Sequence, residues 1–327
     1  MQWTTTFDIP EAQPKIDHQS SLFAVGSCFS TMIGEKLHER KFNVLNNPFG
    51  TIFNPISITQ ILEDALLEMP VNTDMVLVRD GVYLHFGMHS DISGYSQDSL
   101  ERMIHKKQQL TKTQLEKASH LIITFGTAWV YEYGSSGQIV ANCHKQPSGL
   151  FEKRLLNLDE IHKTYIGFIN MYREFNPNVN IILTVSPVRH SKDGIPENQL
   201  SKSLLRLACN DIAESFDFVH YFPSYEIMMD ELRDYRFYKS DMIHPTEQAE
   251  DYIWERFKNS WIDSKTYPTI VEVENIRREL AHRPFNPDSP AHMKFLENLQ
   301  KKLERLSRSF DFSKEMDQLR KQVDHRK

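Results

Sequence analysis

The chain is short of several things, and each shortage narrows its function. Three cysteines in 327 residues, Cys28, Cys143 and Cys209, are too few and too scattered for a disulfide framework. A reducing, cytoplasmic setting is the expectation. Met1 to Thr6 lacks the basic start and apolar core of a secretory signal, although a signal already removed would leave the same appearance. No apolar run approaches the roughly 20 residues of a membrane-spanning helix. Positive charge is also in deficit: 38 basic against 44 acidic residues give a net charge of -6. That balance argues against nucleic acid or an anionic membrane as partner. Neither a Gly-x-Gly-x-x-Gly turn nor a Walker loop occurs, so no organic cofactor is implied. There is no internal repeat and no low-complexity tract.

What the chain does have is core material. With 40% hydrophobic, 11% aromatic and 25% charged residues, it has the makeup of a folded globular protein. Short apolar runs at Ser21–Val25, Val44-Leu45, Leu121–Phe125, Ile181–Val185 and Phe218–Tyr221 read as strands. Between them, stripes such as Ile58, Ile61, Leu62, Ala65 and Leu66, or Ile161, Tyr165, Phe168, Ile169 and Tyr172, repeat at helical spacing. Strands alternating with helices predict a mainly parallel sheet covered on both faces, a three-layer α/β sandwich. Residues 71–120 and 131–155 break the rhythm and read as insertions, the second a hairpin turning at Gly134–Gly137. After a body spanning 1–263, residues 264–327 form a charged helical C-terminal extension. There Leu296, Leu299, Leu303, Leu306 and Phe310 follow a heptad seam for about two heptads. It serves either a homodimer or packing on the body.

Two motifs suggest chemistry. In Leu22–Ser30 a strand ends in Gly26 and passes through Ser27 and Cys28 into a helix. Such a turn sits at the carboxyl edge of the sheet, where ligands collect in open α/β folds. The helix start also offers N–H groups to an oxyanion. Asp241 stands three residues ahead of His244, close enough for its carboxylate to hold one ring nitrogen and leave the other as a general base. Taken alone, Asp241 could equally cap a turn.

Gly-Ser-Cys-Phe at 26–29, Phe-Gly-Thr-Ala-Trp at 125–129, Thr-Val-Ser-Pro-Val-Arg-His at 184–190 and Asp-x-x-His-Pro at 241–245 closely resemble the GSCFA-domain family over roughly residues 1–260. That family is similar to the SGNH/GDSL hydrolases, which implies an SGNH-hydrolase or flavodoxin-like sandwich and esterase-type chemistry. The resemblance assigns the nucleophile block to Gly26–Ser30, an oxyanion-donating glycine to Gly50, a third block to Gly126–Trp129, and the Asp-His pair to Asp241 and His244. Two departures stand out. In the register Gly-Asp-Ser-Leu-Thr the nucleophile position falls on Cys28, with Ser27 in the place of the Asp. A thiol at Cys28 is therefore the expected nucleophile, with Ser27 the alternative. The other reading of Cys28 is a small buried hydrophobe. The third-block Asn is replaced by Ala128, which removes a side-chain donor worth about 3 kcal/mol of barrier in related sites. Thr127, Asn142 or His144 could stand in for it.

Arg189, after the fourth strand, is placed to take a substrate carboxylate or phosphate, or to anchor a loop by a salt bridge. The aromatics Tyr221, Phe222, Tyr225, Tyr235, Phe237 and Tyr238 suit a sugar or acyl pocket, or the core. Cys143 and His144 lack the ligand spacing of a structural zinc site, so no metal is expected. The expected reaction is hydrolysis of an acyl ester or thioester, such as an O-acylated carbohydrate. An acyltransferase sharing the covalent intermediate and an inactive carbohydrate-binding or scaffold protein are the alternatives.

Overall fold

Five of the apolar runs become the five strands of one parallel sheet: β1 (Ser21–Gly26), β2 (Asn43–Asn46), β3 (His120–Phe125), β4 (Asn180–Val185) and β5 (Val219–Tyr221). The computed structural model describes residues 4–324. Spatial order is β2-β1-β3-β4-β5, the flavodoxin-like arrangement. The chain runs outward from β1 to β2, then crosses back to β3 on the other side of β1. The carboxyl ends of β1 and β3 therefore flank the topological switch point, where a crevice opens.

Alternation along the strands sorts the core into two layers. Phe23 and Val25 face helices α2 (Pro55–Leu66), α3 (Gln97–Leu115), α4 (Leu158–Phe175) and α5 (Ile195–Glu214). Leu22 and Ala24 face α1 (Cys28–Glu39) and α6 (Glu247–Trp261). Helix starts follow their caps: Asn54 accepts from Ser57 N–H with Pro55 at the first position, and Thr246 accepts from Ala249 N–H. The chain is thus the three-layer α/β sandwich with a mainly parallel sheet that its sequence predicts.

The excursion expected over 71–120 is shorter than that. Only Val76–Arg79, Val82–His85 and Ser93–Gly94 stand apart, as a small antiparallel sheet. Helix α3, entered through a Ser96/Ser99 capping box, belongs to the main layer. Its buried stripe reads Leu100, Ile104, Gln108, Thr111, Leu115; two polar members hide its periodicity. The second excursion is a hairpin, Trp129–Tyr133 with Gln138–Val140, extended on its other side by Phe151–Leu155.

Beyond α6, helices α7 (Tyr267–Ala281), α8 (Pro290–Leu306) and α9 (Ser313–Asp324) close over their own core. The heptad seam considered for a dimer is filled from within the chain. Leu296, Leu299 and Leu303 pack with Val273, Ile276, Leu280, Phe312 and Leu319, and the Phe310 ring meets His18 at 4.9 Å. Each fully buried leucine contributes about 2 kcal/mol, which favours this internal packing over an open seam. Ion pairs fasten the unit to the end of α1: Arg40–Glu274, Lys41–Glu315 and Arg277–Glu39, each 2.6 Å. No helix among the described residues is long and apolar enough to cross a membrane.

Gly26 fixes the sheet's working edge. Its φ of +132° lies where side chains are rarely tolerated, and a Cβ there would drive into the Thr124 carbonyl. Gly26→Ala is expected to destabilise the fold by about 3 kcal/mol, read as a lower urea midpoint with an unchanged slope. A loss within about 0.5 kcal/mol would show that β1 and β3 can part locally without cost.

Candidate active site

Asp241 and His244 occupy the loop between Tyr238 and α6. That loop is pinned by a bridge between Tyr238 and Pro245, by Lys239 N–H to His244 O at 2.7 Å, and by Thr246 N–H to Phe237 O at 2.8 Å. The two readings of Asp241 turn out to be compatible. Oδ1 accepts from the N–H groups of Ile243 (2.8 Å) and His244 (3.0 Å), capping the turn. Oδ2 meets His244 Nδ1 at 2.7 Å. The backbone N–H of His244, its imidazole and the Ile243 N–H hold the Asp241 carboxyl far below the usual carboxylate range. Asp241 is therefore ionised at any pH near neutrality and fixes Nδ1 as the donor. Nε2 of His244 has no hydrogen-bond partner among the described residues, which leaves it available as a base.

At the carboxyl end of β1, Ser27 caps α1 and Cys28 begins it. Ser27 is 1% exposed, and its Oγ accepts the Phe29 N–H as helix cap. Cys28 is half-buried, and burial raises its thiol pKa, with its own N–H a smaller opposing influence. It is a protonated thiol at neutral pH. No hydrogen bond joins Cys28 or Ser27 to His244 among the described residues.

Donors proposed for an oxyanion are mostly committed elsewhere. Gly50 gives its N–H to Asn47 O at 2.9 Å, so the expected glycine donor is already bonded within its turn. Gly126 and Thr127 both give theirs to Phe53 O (2.7 and 3.1 Å). Thr127 Oγ1 contacts Ser201 Oγ and accepts from Trp129 N–H. Asn142 and His144 brace the excursions instead: His144 contacts the His85 carbonyl (2.9 Å) and Ser90 Oγ (3.2 Å), and Asn142 Nδ2 reaches Ser90 Oγ at 3.4 Å. This roof comes down on Gly50, where a Cβ would strike His89. Cys28 N–H, at the first turn of α1, gives no hydrogen bond to a carbonyl among the described residues.

Three residues to which the sequence reading gave no role support the site. Asn47 binds Gly26 N–H through Oδ1 (2.9 Å) and Thr31 Oγ1 through Nδ2 (2.7 Å), tying the end of β2 to the Gly26–Cys28 turn. His190 lies edge-on to Phe53 at 5.4 Å. Burial, with Lys202 and His244 nearby, pushes its pKa down to about 3, so it is neutral. Lys202, on α5, is 1% exposed. Its Nζ donates to Gly126 O and Ser186 O, both at 2.7 Å, joining the carboxyl ends of β3 and β4. Its signal was its place in the helical stripe Asn198, Ser201, Lys202, Leu205, Cys209, a charge where the core should be.

Fold and site together define an α/β protein of flavodoxin-like strand order with a carboxylate–imidazole pair at the sheet's carboxyl edge. Residues 21–257 match the model of the GSCFA family, and residues 273–325 match that of the GSCFA domain protein, C-terminal domain; the chain belongs to the GSCFA family. No curated protein matches it. Among solved structures it is similar to an acetyl xylan esterase (Est2A) from the rumen bacterium Butyrivibrio proteoclasticus, at 16% identity and a TM-score of 0.25. That match covers 43% of this chain and 37% of the esterase, too slight a likeness to bear on chemistry.

Burial pushes the Lys202 pKa down to about 7, whereas the unfolded chain titrates it in the ordinary lysine range. Between those values the unfolded state holds the extra proton, so stability rises with pH from about 7 upward. Lys202→Met should remove that rise and leave two buried carbonyls without a donor, costing about 2 kcal/mol. Urea melts of both proteins at pH 7 and pH 9 check this; equal slopes in the two would exclude Lys202 as the source.

Proposed function

We propose that this chain is an SGNH-like hydrolase of acyl esters or thioesters, O-acylated carbohydrates among them. In this reading Cys28 is the nucleophile, His244 the general base and Asp241 its orienting partner. The observation that carries the reading is the 2.7 Å Asp241–His244 pair. Its carboxylate is locked by two backbone N–H groups and its outer nitrogen is free. Cys28 is preferred to Ser27 because Ser27 is buried and its oxygen is committed to the helix cap.

His244 Nε2 takes the Cys28 proton as sulfur bonds to the acyl carbon, and the carbonyl π pair moves to oxygen. Cys28 N–H, at the positive end of α1, stabilises that oxyanion. The oxyanion then collapses, the bond to the leaving group breaks, and the imidazolium supplies the leaving group's proton. Water, deprotonated by His244, next releases the acid and returns the proton to sulfur. Because the resting thiol is protonated, proton removal accompanies attack; no thiolate stands ready.

A catalytically idle binding protein is the second reading. Ala128 in the third block and the missing hydrogen bond between Cys28 and His244 favour it.

Active-site labelling separates the two. Iodoacetamide and a fluorophosphonate are applied to the wild type, Cys28→Ala, Ser27→Ala and His244→Ala, with peptide mass mapping. Alkylation at Cys28 should slow at least about tenfold in His244→Ala. Turnover of 4-nitrophenyl acetate should fall about 10²-fold or more in both Cys28→Ala and His244→Ala. Fluorophosphonate capture at Ser27 would move the nucleophile there. Silence from both probes would leave the binding protein.

A further inference from the structure

The mechanism above makes no use of Arg189, yet Arg189 is built into the loop that performs it. Its N–H donates to Ile243 O at 3.3 Å, between Asp241 and His244. Its guanidinium lies 4.0 Å from the centre of the Tyr238 ring and 5.4 Å from that of Tyr235. Tyr238 is itself bridged to Pro245, beside His244. Backbone and side chain alike therefore hold this cation on the flank of the Asp-His loop.

Other arginines stacked on aromatic rings show what is unusual here. Arg40 over Trp254 is paired with Glu274, Arg206 over Tyr221 with Glu226, Arg256 over Phe7 with Glu231, and Arg236 over Phe237 with Asp234. Arg173 over Phe218 sits in the last turn of α4, where the carbonyl end of the helix is negative. Arg189 has neither a carboxylate nor a helix end among the described residues. The salt bridge that would have made it a loop anchor is absent.

The half-buried Arg189 borders a cavity of about 170 Å³ together with Arg233, Met228, Met229, Tyr235 and Tyr238. Arg233 has no ion pair among the described residues either. Asp234, on the same rim, caps its own turn through Arg236 N–H and pairs with the Arg236 guanidinium. Two guanidinium groups thus edge a small cavity whose one rim carboxylate is already engaged. A guanidinium seated over aromatic rings, with no carboxylate partner among the described residues, keeps its planar fork for a bidentate anion.

Resting on the hydrolase reading, we propose that the substrate carries a carboxylate or phosphate and that Arg189 receives it. The cavity, about 170 Å³, is of a size to take such a group on a short stem. The anion belongs either to the acyl group or to the leaving group, and esters of each kind tell them apart.

Mono-4-nitrophenyl succinate puts the charge on the acyl side, 4-acetoxybenzoate puts it on the leaving group, and 4-nitrophenyl acetate carries none. Each is assayed with the wild type, Arg189→Gln and Arg189→Lys. Relative to the neutral ester, kcat/KM for one charged ester should fall about tenfold or more in Arg189→Gln, with partial recovery in Arg189→Lys. Equal losses for charged and neutral esters would reduce Arg189 to a structural role and overturn the proposal. Succinate, 4-hydroxybenzoate and phosphate are also tested for raising the melting temperature of the wild type and of Arg189→Gln. Should no ester turn over, a shift that depends on Arg189 would sustain the anion site while the hydrolase reading fell. No such shift, with no turnover, would overturn both.

Discussion

The close approach of Gly26 to the Thr124 carbonyl sets the geometry on which the rest of the site depends. Only a residue without a Cβ lets β1 end there, and that ending delivers Ser27 to the cap of α1 and Cys28 to its first turn. Asn47 secures the same point from the other side, by holding the Gly26 N–H. The Gly26 carbonyl then receives Ile52 N–H at 2.9 Å, which draws the Gly50–Phe53 segment over the edge of the sheet. Phe53 in turn accepts from Gly126 and Thr127. From one small residue, a run of hydrogen bonds, all but the Asn47 one between backbone groups, reaches the ends of β2, β1 and β3.

Such thorough satisfaction explains both the rigidity of the edge and its selectivity. Backbone groups at a buried sheet end must find partners, and here nearly every N–H around the crevice has one. Three groups bordering the crevice that lack a carbonyl or carboxylate partner among the described residues are correspondingly informative: the outer nitrogen of His244, the N–H of Cys28 and the guanidinium of Arg189. Two hydrogen bonds and an ionised carboxylate orient the first. The second lies at the positive end of a helix, and aromatic stacking holds the third. Each is held in place without being neutralised.

The sheet was legible in the sequence because its three central strands are buried on both faces and so read as largely apolar runs such as Leu121–Phe125. The Asp241–His244 pairing was legible because three residues in one loop settle it locally. Helix α3 was harder to see, since Gln108 and Thr111 fill two positions of its core stripe. Gly50 was placed correctly in its turn, but its N–H is taken by Asn47 O, a contact that only the folded turn reveals. Lys202 was overlooked because a lysine is normally read as surface, and its two carbonyl partners come from strand ends 76 and 16 residues away. The heptad seam was real, but sequence periodicity does not say whether the partner helix comes from another chain or from Val273, Ile276 and Leu280 of this one.

The C-terminal helical unit bears on the order in which the molecule can be completed. It grips the far end of α1, the helix whose near end carries Cys28, through Arg40, Lys41 and Glu39. Lys41 meets Glu315 across 274 residues of chain. On the ribosome, β1 and α1 are made before that brace, which arrives only once the chain up to Glu315 has emerged. Until then the helix that carries Cys28 is held by the sheet and by the core layer it shares with α6, and its far end lacks these ion pairs.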